Sequence, residues 1–232
     1  HMLAGEPGQG KTSLVLQLAA NVAKNGDSVL FVSFEESLQR LAFKAVCLEA
    51  GLEMKPYAEG QGNPLVLEVA FKQIGPALKR LHFIEGNSHL TISQLKAKAL
   101  QLREKNKTGK CLVIVDYLQR WAAARKDFSE FRHVVSSLVS DLREFSLRID
   151  SPVLVISSQN RSGQGTSFLT SLKESGELEY SADSALFLVG NKERFPREPA
   201  RAVDLKIEKN RYGDRGSIEL LFRPDIGRFQ EI

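Results

Sequence analysis

The stretch "GEPGQGKT" at residues 5–12 constrains the fold of this chain more than any other part of the sequence. It fits the pattern G-x-x-x-x-G-K-[ST], whose glycines let backbone N–H groups turn inward around phosphate oxygens. Apolar residues at helical spacing follow at 14–22, so the phosphates are expected at a helix N-terminus. There Lys11 reaches the β and γ phosphates and Thr12 binds Mg²⁺. The predicted nucleotide-binding residues are Gly5, Glu6, Pro7, Gly8, Gln9, Gly10, Lys11, Thr12 and Ser13.

Composition excludes several classes of protein but does not select a function. The 232 residues suffice for one large domain or two small ones, and the 42% hydrophobic and 26% charged residues are ordinary for a soluble globular chain. No apolar run has membrane-spanning length, and no signal peptide is visible. Cys47 and Cys111 are far apart without metal-binding spacing, which favours a reducing, cytoplasmic setting. The net charge of +4 is mild support for an anionic partner.

The first residues predict that this chain is a piece of a longer protein. His1 and Met2 have the look of a cloning remnant, and only Leu3 and Ala4 separate them from the phosphate pattern. A phosphate-binding loop of this kind normally follows a buried strand. We therefore expect residues 1–232 to be a single, N-terminally truncated domain.

Strand and helix patterns alternate through most of the chain. Continuous apolar runs typical of buried parallel strands occur at 28–34, 81–86, 111–116 and 151–159. Helical patterns occur at 38–51, at 64–81 with a break expected near Gly75-Pro76, at 91–106 with capping-box spacing, and at 128–149. Residues 52–64 read as a loop, and strand-like runs follow at 184–189, 202–210 and 217–223. The prediction is an α/β fold with a mostly parallel central sheet, helices on both faces and a β-rich C-terminal edge.

Polar residues follow the predicted parallel strands where an open α/β sheet binds its ligands. Asp116 ends one strand and is placed to hold Mg²⁺, partly through water or Thr12. Glu35 is placed to orient or deprotonate the attacking water, and Gln159 to sense the γ phosphate. Each has a simpler alternative, because a strand-end acid often caps a helix and a strand-end Gln is often only solvated. Glu36 is either a second catalytic acid or the start of the next helix.

The order of these motifs resembles the RecA-like superfamily of oligomeric P-loop ATPases. Within it, "DYLQ", "LKESGELEYSADSALFLV" and "KIEKNRYGDRGSIELLF" resemble the C-terminal motor domain of DnaB-type replicative helicases, and the resemblance covers essentially the whole chain. It implies an ATP-hydrolysing motor domain of a hexameric DNA helicase that acts on single-stranded DNA in replication. The implied cofactors are ATP and Mg²⁺.

The resemblance also assigns residues to a site shared between subunits. Lys11, Thr12, Glu35, Asp116 and Gln159 correspond to the part that one subunit supplies. Lys209 and Arg211 correspond to finger residues inserted into a neighbour's nucleotide, where a guanidinium neutralises developing charge. The alternative for Arg211 is an ordinary surface arginine in a hairpin.

Single-stranded nucleic acid lies in a central channel in this superfamily, lined by two loops that fall here near 120–128 and 160–173. Such loops need cations for backbone phosphates, and Phe168 is suited to stack on a base. Ordinary solvated loops with incidental charge are the alternative. The candidate contacts are Arg120, Arg125, Lys126, Arg161 and Lys173.

Two features keep other functions open. "VSFEES" and "SSQNRS" also resemble the RadA and KaiC branches, which predicts a recombination or regulatory ATPase without unwinding as the alternative. A P-loop switch or small-molecule kinase acting alone is a third hypothesis. "NKER" has Arg194 where a GTPase has the base-reading Asp, so ATP or mixed nucleoside triphosphate use is expected. The DnaB-type collar domain and linker helix are absent from this sequence, and an upstream collar or primase domain is the expected partner.

Overall fold

The computed structural model describes residues 1–124, 131–158, 180–191, 194 and 197–232. The strands in these ranges are β1 (Met2–Gly5), β2 (Ser28–Ser33), β3 (Leu81–Glu85), β4 (Cys111–Asp116), β5 (Val153–Ser158), β6 (Ser184–Gly190), β7 (Arg201–Asn210), β8 (Gly216–Arg223) and β9 (Arg228–Glu231). The helices are α1 (Lys11–Lys24), α2 (Leu38–Ala50), α3 (Met54–Ala58), α4 (Pro64–Leu78), α5 (Ile92–Asn106), α6 (Leu118–Ala124) and α7 (Phe131–Arg148). None of these helices is both long and apolar enough to cross a membrane.

All of these strands belong to one sheet, in the order β3-β2-β4-β5-β1-β6-β7-β8-β9. The first six strands in this order, β3, β2, β4, β5, β1 and β6, are paired in parallel with their neighbours. The last three strands, β7, β8 and β9, are added antiparallel. The predicted α/β class, with a mostly parallel sheet and a β-rich C-terminal edge, is confirmed.

Helices cover both faces of the sheet, and alternate residues of each strand point to different cores. In β2, Leu30 and Val32 are buried against the core formed with α5, α6 and α7. Val29 and Phe31 are buried in the other core, which includes α1 and α2. Because both faces of the strand are covered, its sequence is continuously apolar instead of alternating.

Local sequence signals set the ends of two helices, and of these the end of α2 at residue 51 and the start of α5 were predicted. The Ser37 side chain accepts a hydrogen bond from the Arg40 N–H and caps α2, which ends at Gly51 with a left-handed φ of 67°. Thr91 and Gln94 form the predicted capping box at the start of α5. The long helix predicted at 128–149 is present from Phe131 as α7, and residues 128–130 of that prediction lie outside the described ranges.

Two predictions about the middle of the chain are wrong. Residues 52–64 are not only a loop, because they contain the short helix α3, whose Met54 N–H donates to the Asp225 carbonyl in the turn between β8 and β9. Helix α4 begins at Pro64 as predicted but continues through Pro76 to Leu78. Pro76 lies in the last turn of the helix, so its missing N–H removes one helical hydrogen bond without ending the helix earlier.

Candidate functional site

The phosphate pattern forms the connection between β1 and α1, at the carboxyl edge of the parallel strands. Strand β1 lies between β5 and β6, and the chain leaves it for β2 on one side while β6 is added on the other. This reversal of strand order is the place where open α/β sheets bind ligands. The loop is therefore where the sequence predicts a nucleotide.

Glycine is required in this loop where other backbone or rings come close. A Cβ at Gly5 would lie 2.5 Å from the carbonyl oxygen of Leu188 in β6. Gly10 has a left-handed φ of 92°, and a Cβ there would lie 2.8 Å from the rings of Phe222 and Phe229. No side chain caps α1, so the N–H groups of its first turn face the loop and suit an anion.

The Lys11 ammonium lies inside the loop. Its Nζ donates to the carbonyl oxygens of Gly5 at 2.8 Å and Glu6 at 2.9 Å. Burial lowers the pKa of Lys11, while the negative charges of Asp116, Glu35 and Glu6 act in the opposite direction. A partly desolvated cation among backbone dipoles is well placed to gain from an arriving phosphate.

Thr12 and Asp116 form a pair of oxygen donors beside the loop. The Thr12 hydroxyl donates to Oδ2 of Asp116 at 2.8 Å, and Asp116 is 1% exposed at the end of β4. Burial raises the pKa of Asp116 to about 6, against the lowering effect of the Thr12 hydrogen bond. Hydroxyl and carboxylate oxygens are the hard ligands that Mg²⁺ prefers, and a cation would relieve the cost of this buried charge. The residues present therefore fit a magnesium ion.

The two acids after β2 have different surroundings. Glu35 is exposed, and its charge acts on both Lys11 and Asp116, which shows that it lies at the same edge of the sheet. Glu36 is half-buried and forms a 2.5 Å ion pair with Nζ of Lys44 on α2. Glu35 is thus the acid that faces solvent at the loop, while Glu36 is held against α2.

The predicted finger residues lie at the amino ends of the parallel strands, whereas the loop lies at their carboxyl ends. The Arg211 guanidinium donates to Asp183 Oδ1 at 3.1 Å and to the Tyr180 carbonyl oxygen at 3.0 Å. Lys209 Nζ donates to the same carbonyl at 3.2 Å. Arg211 follows the end of β7, which pairs with the first residue of β6, whereas the loop follows the end of β1, which pairs with Leu188. These two positions on β6, Ser184 and Leu188, are four residues apart, which corresponds to about 13 Å along the strand.

One of the predicted nucleic-acid residues lies in the described part of the chain. Arg120 is exposed on α6, where its Nε donates to the Tyr117 hydroxyl at 3.1 Å and its guanidinium lies 5.9 Å from the centre of the Tyr117 ring. The remaining candidates fall outside the described residues, as does the proposed sensor; they are Arg125, Lys126, Arg161, Phe168, Lys173 and Gln159.

Sequence reasoning missed α6 and the contacts that it makes at this edge. The Gln119 amide donates to Ser157 Oγ at 2.7 Å, and its carbonyl accepts the Ser158 N–H at 3.3 Å. Trp121 stacks on Phe34, the residue before Glu35. The signal was present in "DYLQRWAA", where apolar residues at 118, 121 and 122 have helical spacing.

The family of the DnaB-like helicase C-terminal domain matches residues 1–231. A replicative DNA helicase DnaB of Geobacillus stearothermophilus is 25% identical over 237 residues, covering 98% of this chain and 51% of that protein. The chain spans about half the length of the curated relatives that it matches.

Solved structures agree with this match at the level of the fold. A DnaB-like replicative helicase, described with its interactions with primase, has a TM-score of 0.84 at 22% identity, covering 98% of this chain and 56% of that chain. A KaiC-like protein of Pyrococcus horikoshii has a TM-score of 0.64 at 13% identity, covering 100% of this chain and 88% of that chain. Both likenesses show the RecA-like ATPase fold. Because the family match extends over nearly every residue, the chain belongs to the family of the DnaB-like helicase C-terminal domain.

Proposed function

We propose that this chain is the ATP-hydrolysing motor domain of a hexameric DnaB-like helicase that acts on single-stranded DNA in replication. The family match and the names of the relatives support this activity, and the loop geometry supports the chemistry. The chain is proposed as one domain of a protein that carries a further collar or primase-binding region.

The part of the site within one chain has three proposed tasks. Lys11 and the first N–H groups of α1 bind the β and γ phosphates of ATP. Thr12 and Asp116 hold Mg²⁺, which neutralises phosphate charge when bound. Glu35 accepts a proton from the attacking water, a task that suits an exposed carboxylate at the loop.

The observation that carries an oligomeric motor is the position of Arg211. It lies about 13 Å below the level of the phosphate loop along the strands, so it is remote from the loop of its own chain. In a head-to-tail ring, the surface of one subunit that carries Arg211 faces the phosphate loop of the next subunit. We propose that Arg211, with Lys209, completes a neighbour's site and stabilises charge that develops on the transferred phosphate.

The proposed substrate strand is bound through its phosphates. Arg120 is an exposed cation close to the catalytic edge, and the chain has a net charge of +4. Contacts to phosphate rather than to base edges suit a motor that moves along any sequence. A cytoplasmic location belongs to the same proposal and is supported by two buried, unpaired cysteines.

The first experiment measures ATPase rate with and without single-stranded DNA at several protein concentrations. The proposal expects the rate per subunit to rise with DNA and with protein concentration, because sites form between subunits. Arg211→Ala should lose most of this activity. Arg215→Ala is the matched control, since Arg215 is an exposed arginine in the same turn and has no role in the proposal.

Each outcome separates the competing functions. A rate that depends on concentration and Arg211 but ignores DNA would favour the RadA- or KaiC-like alternative. A rate that ignores DNA, concentration and Arg211 together would contradict a shared active site. Equal losses in Arg211→Ala and Arg215→Ala would mean that the turn matters for folding or assembly and not through the Arg211 guanidinium.

A further inference from the structure

Helix α6 contacts the ends of three neighbouring parallel strands. It begins at Leu118, and only Tyr117 separates it from Asp116, the last residue of β4. Its Gln119 is bonded to the end of β5, and its Trp121 lies against the residue that follows β2. These strands are adjacent in the sheet, in the order β2-β4-β5. Helix α6 therefore contacts the chain beside each of the three strand ends that carry a polar residue of the proposed site.

The contact towards β2 fixes the residue before Glu35. Trp121 is fully buried, and its ring lies 5.4 Å from that of Phe34 at an angle of 22°. A Cβ at Gly86 would lie 2.5 Å from the Phe34 ring, so the backbone at Gly86 also packs closely against this half-buried ring. The Phe34 N–H also donates to the Asp116 carbonyl at 2.7 Å. The backbone that carries Glu35 is thus held by α6 and by the end of β4.

The contact towards β5 fixes the residues before Gln159. The Gln119 amide donates to Ser157 Oγ and its carbonyl accepts the Ser158 N–H. Ser157 is fully buried and Gln119 is half-buried, so water competes poorly for these bonds. A shift of α6 would have to break these bonds or carry the end of β5 with it.

The outer side of the same helix carries Arg120. This arginine is exposed, while its neighbours Gln119 and Trp121 contact the strand ends. Leu118 and Trp121 are fully buried, so the helix is packed as one unit. A phosphate that draws Arg120 outward or sideways therefore acts on both inner contacts at once.

We propose that α6 couples nucleic acid bound at Arg120 to the nucleotide site, through Gln119 towards β5 and through Trp121 and Phe34 towards Glu35. This inference rests on the proposed function, because it needs DNA and ATP as ligands. Gln119 and Trp121 are positioning residues in this device: they touch neither ligand and set the placement of the chain that carries the catalytic groups.

The first test compares Gln119→Leu with the wild-type chain. Leucine keeps much of the side-chain volume and removes both bonds to β5. We expect the affinity for a labelled oligothymidylate to change little, because Arg120 is retained, and the ATPase rate without DNA to fall less than the rate with DNA. The stimulation of ATPase by that oligonucleotide should fall by about fivefold or more, the size of a typical coupling between sites.

Gln17→Leu is the matched control. Gln17 is also a half-buried helical glutamine with one bond donated and one accepted, both to Phe229 in β9. It therefore loses the same kind of bonds away from α6, and we expect it to keep the wild-type ratio of stimulated to basal rate. If both variants lose stimulation equally, the effect is general loosening and the proposal is overturned.

The second test needs no variant, because Trp121 is the only tryptophan in the chain. Its emission is measured while oligothymidylate is added in the presence of ADP and Mg²⁺, with binding followed separately by anisotropy of the labelled oligonucleotide. A change in emission that tracks binding supports movement at α6. Emission that stays constant while DNA binds overturns the proposal even if Gln119→Leu proves too unstable to assay.

The two hypotheses fail in different ways. If the wild-type chain neither binds the oligonucleotide nor responds to it, the proposed function fails and the coupling through α6 fails with it. If the wild type is stimulated and Gln119→Leu is stimulated equally, the proposed function stands and only the coupling is rejected.

Discussion

The phosphate loop and the turn after β7 each present a cation, but they do so at opposite ends of the parallel strands and in different surroundings. Lys11 lies within its own loop, where it is bonded to two backbone carbonyls and is partly desolvated. Arg211 is exposed and is held by Asp183 and by the Tyr180 carbonyl. Under the proposed function, the fold of one chain is enough to put Lys11 at the bound phosphate, whereas Arg211 requires a second copy of the chain to bring a phosphate to it.

The first prediction tests whether these two cations serve one reaction from two chains. Lys11→Ala and Arg211→Ala should each reduce ATPase by about a thousandfold, since each removes a charge that stabilises the transferred phosphate. An equimolar mixture should recover about a quarter of the wild-type rate, because a random ring contains intact loops beside intact Arg211 at that frequency. Steady-state ATPase of the separate and mixed proteins is the measurement.

The mixture also supplies its own control. Mixing either variant with inactive Lys11→Ala/Arg211→Ala double-mutant protein should restore nothing, because no loop and finger are then both intact at one interface. Failure of the two single variants to complement each other, although they assemble as the wild type does, would show that Arg211 acts within its own chain or not at all.

Much of this arrangement follows from local sequence. The apolar runs that form β2, β3, β4 and β5 predicted strands, because a parallel strand covered on both faces does not alternate apolar with polar residues. The phosphate pattern predicted the connection from β1 to α1, and Thr91 with Gln94 predicted the start of α5. Since polar residues at the ends of such strands share one edge, Glu35 and Asp116 were expected together near Lys11, and their charges do act on each other.

The features that the sequence did not predict have separate physical causes. The register of β6 with β7 puts Arg211 at the ends of the strands away from the loop, and no local pattern encodes that register. The ion pair of Glu36 with Lys44 depends on how the chain turns from β2 into α2, which brings the two side chains together. Helix α4 continued past Pro76 because a proline in the last turn removes only one helical bond. The roles of the site residues stay predictions until they are measured.

The second prediction tests how far the shape of the phosphate loop depends on the antiparallel strands β8 and β9. The rings of Phe222 and Phe229 stack at 4.3 Å, are each 4% exposed, and lie against Gly10. Phe229→Ala removes a packed ring and leaves a cavity beside the loop, so unfolding free energy should fall by about 3 kcal/mol. Urea denaturation measures this loss, and binding of a fluorescent ADP analogue should weaken with it.

Phe71→Ala is the control for this loss. Phe71 lies on α4 and is 41% exposed, so its removal leaves less of a cavity and should cost under about 1 kcal/mol. If Phe229→Ala lowers stability but leaves ADP affinity at the wild-type value, the loop keeps its shape without the antiparallel edge, and the two regions are less dependent than their contact suggests.

The third prediction concerns the cost of the buried charge at the loop. Burial raises the pKa of Asp116 to about 6, above the ordinary value for an unfolded chain. A raised pKa contributes stability below the unfolded value, and that contribution is lost as pH rises through 6, when the buried carboxyl ionises. Asp116→Asn keeps an acceptor for the Thr12 hydroxyl without the charge. The variant should therefore be more stable than the wild type at pH 8, by about 2 kcal/mol.

Urea denaturation from pH 5 to pH 8, with chelator present to exclude Mg²⁺, is the measurement. The advantage of Asp116→Asn should shrink towards pH 5, where the wild-type carboxyl is largely protonated. An advantage that is constant with pH would assign the stability difference to packing. A variant less stable than the wild type at pH 8 would show that the Asp116 charge is favourable in the fold.

The fourth prediction has the smallest expected effect and concerns the exposed ion pair of Arg211 with Asp183. The Arg211 and Asp183 side chains are 39% and 38% exposed, so their 3.1 Å ion pair is screened by water and salt. Asp183→Asn should lower unfolding free energy by less than about 1 kcal/mol, and raised salt should reduce the difference further. Urea denaturation at two salt concentrations measures this. A pair that contributes so little leaves the guanidinium available to a neighbour's phosphate at small cost. A loss comparable to that of Phe229→Ala would instead make Arg211 part of the structure of its own turn, and the contrast with Lys11 would no longer hold.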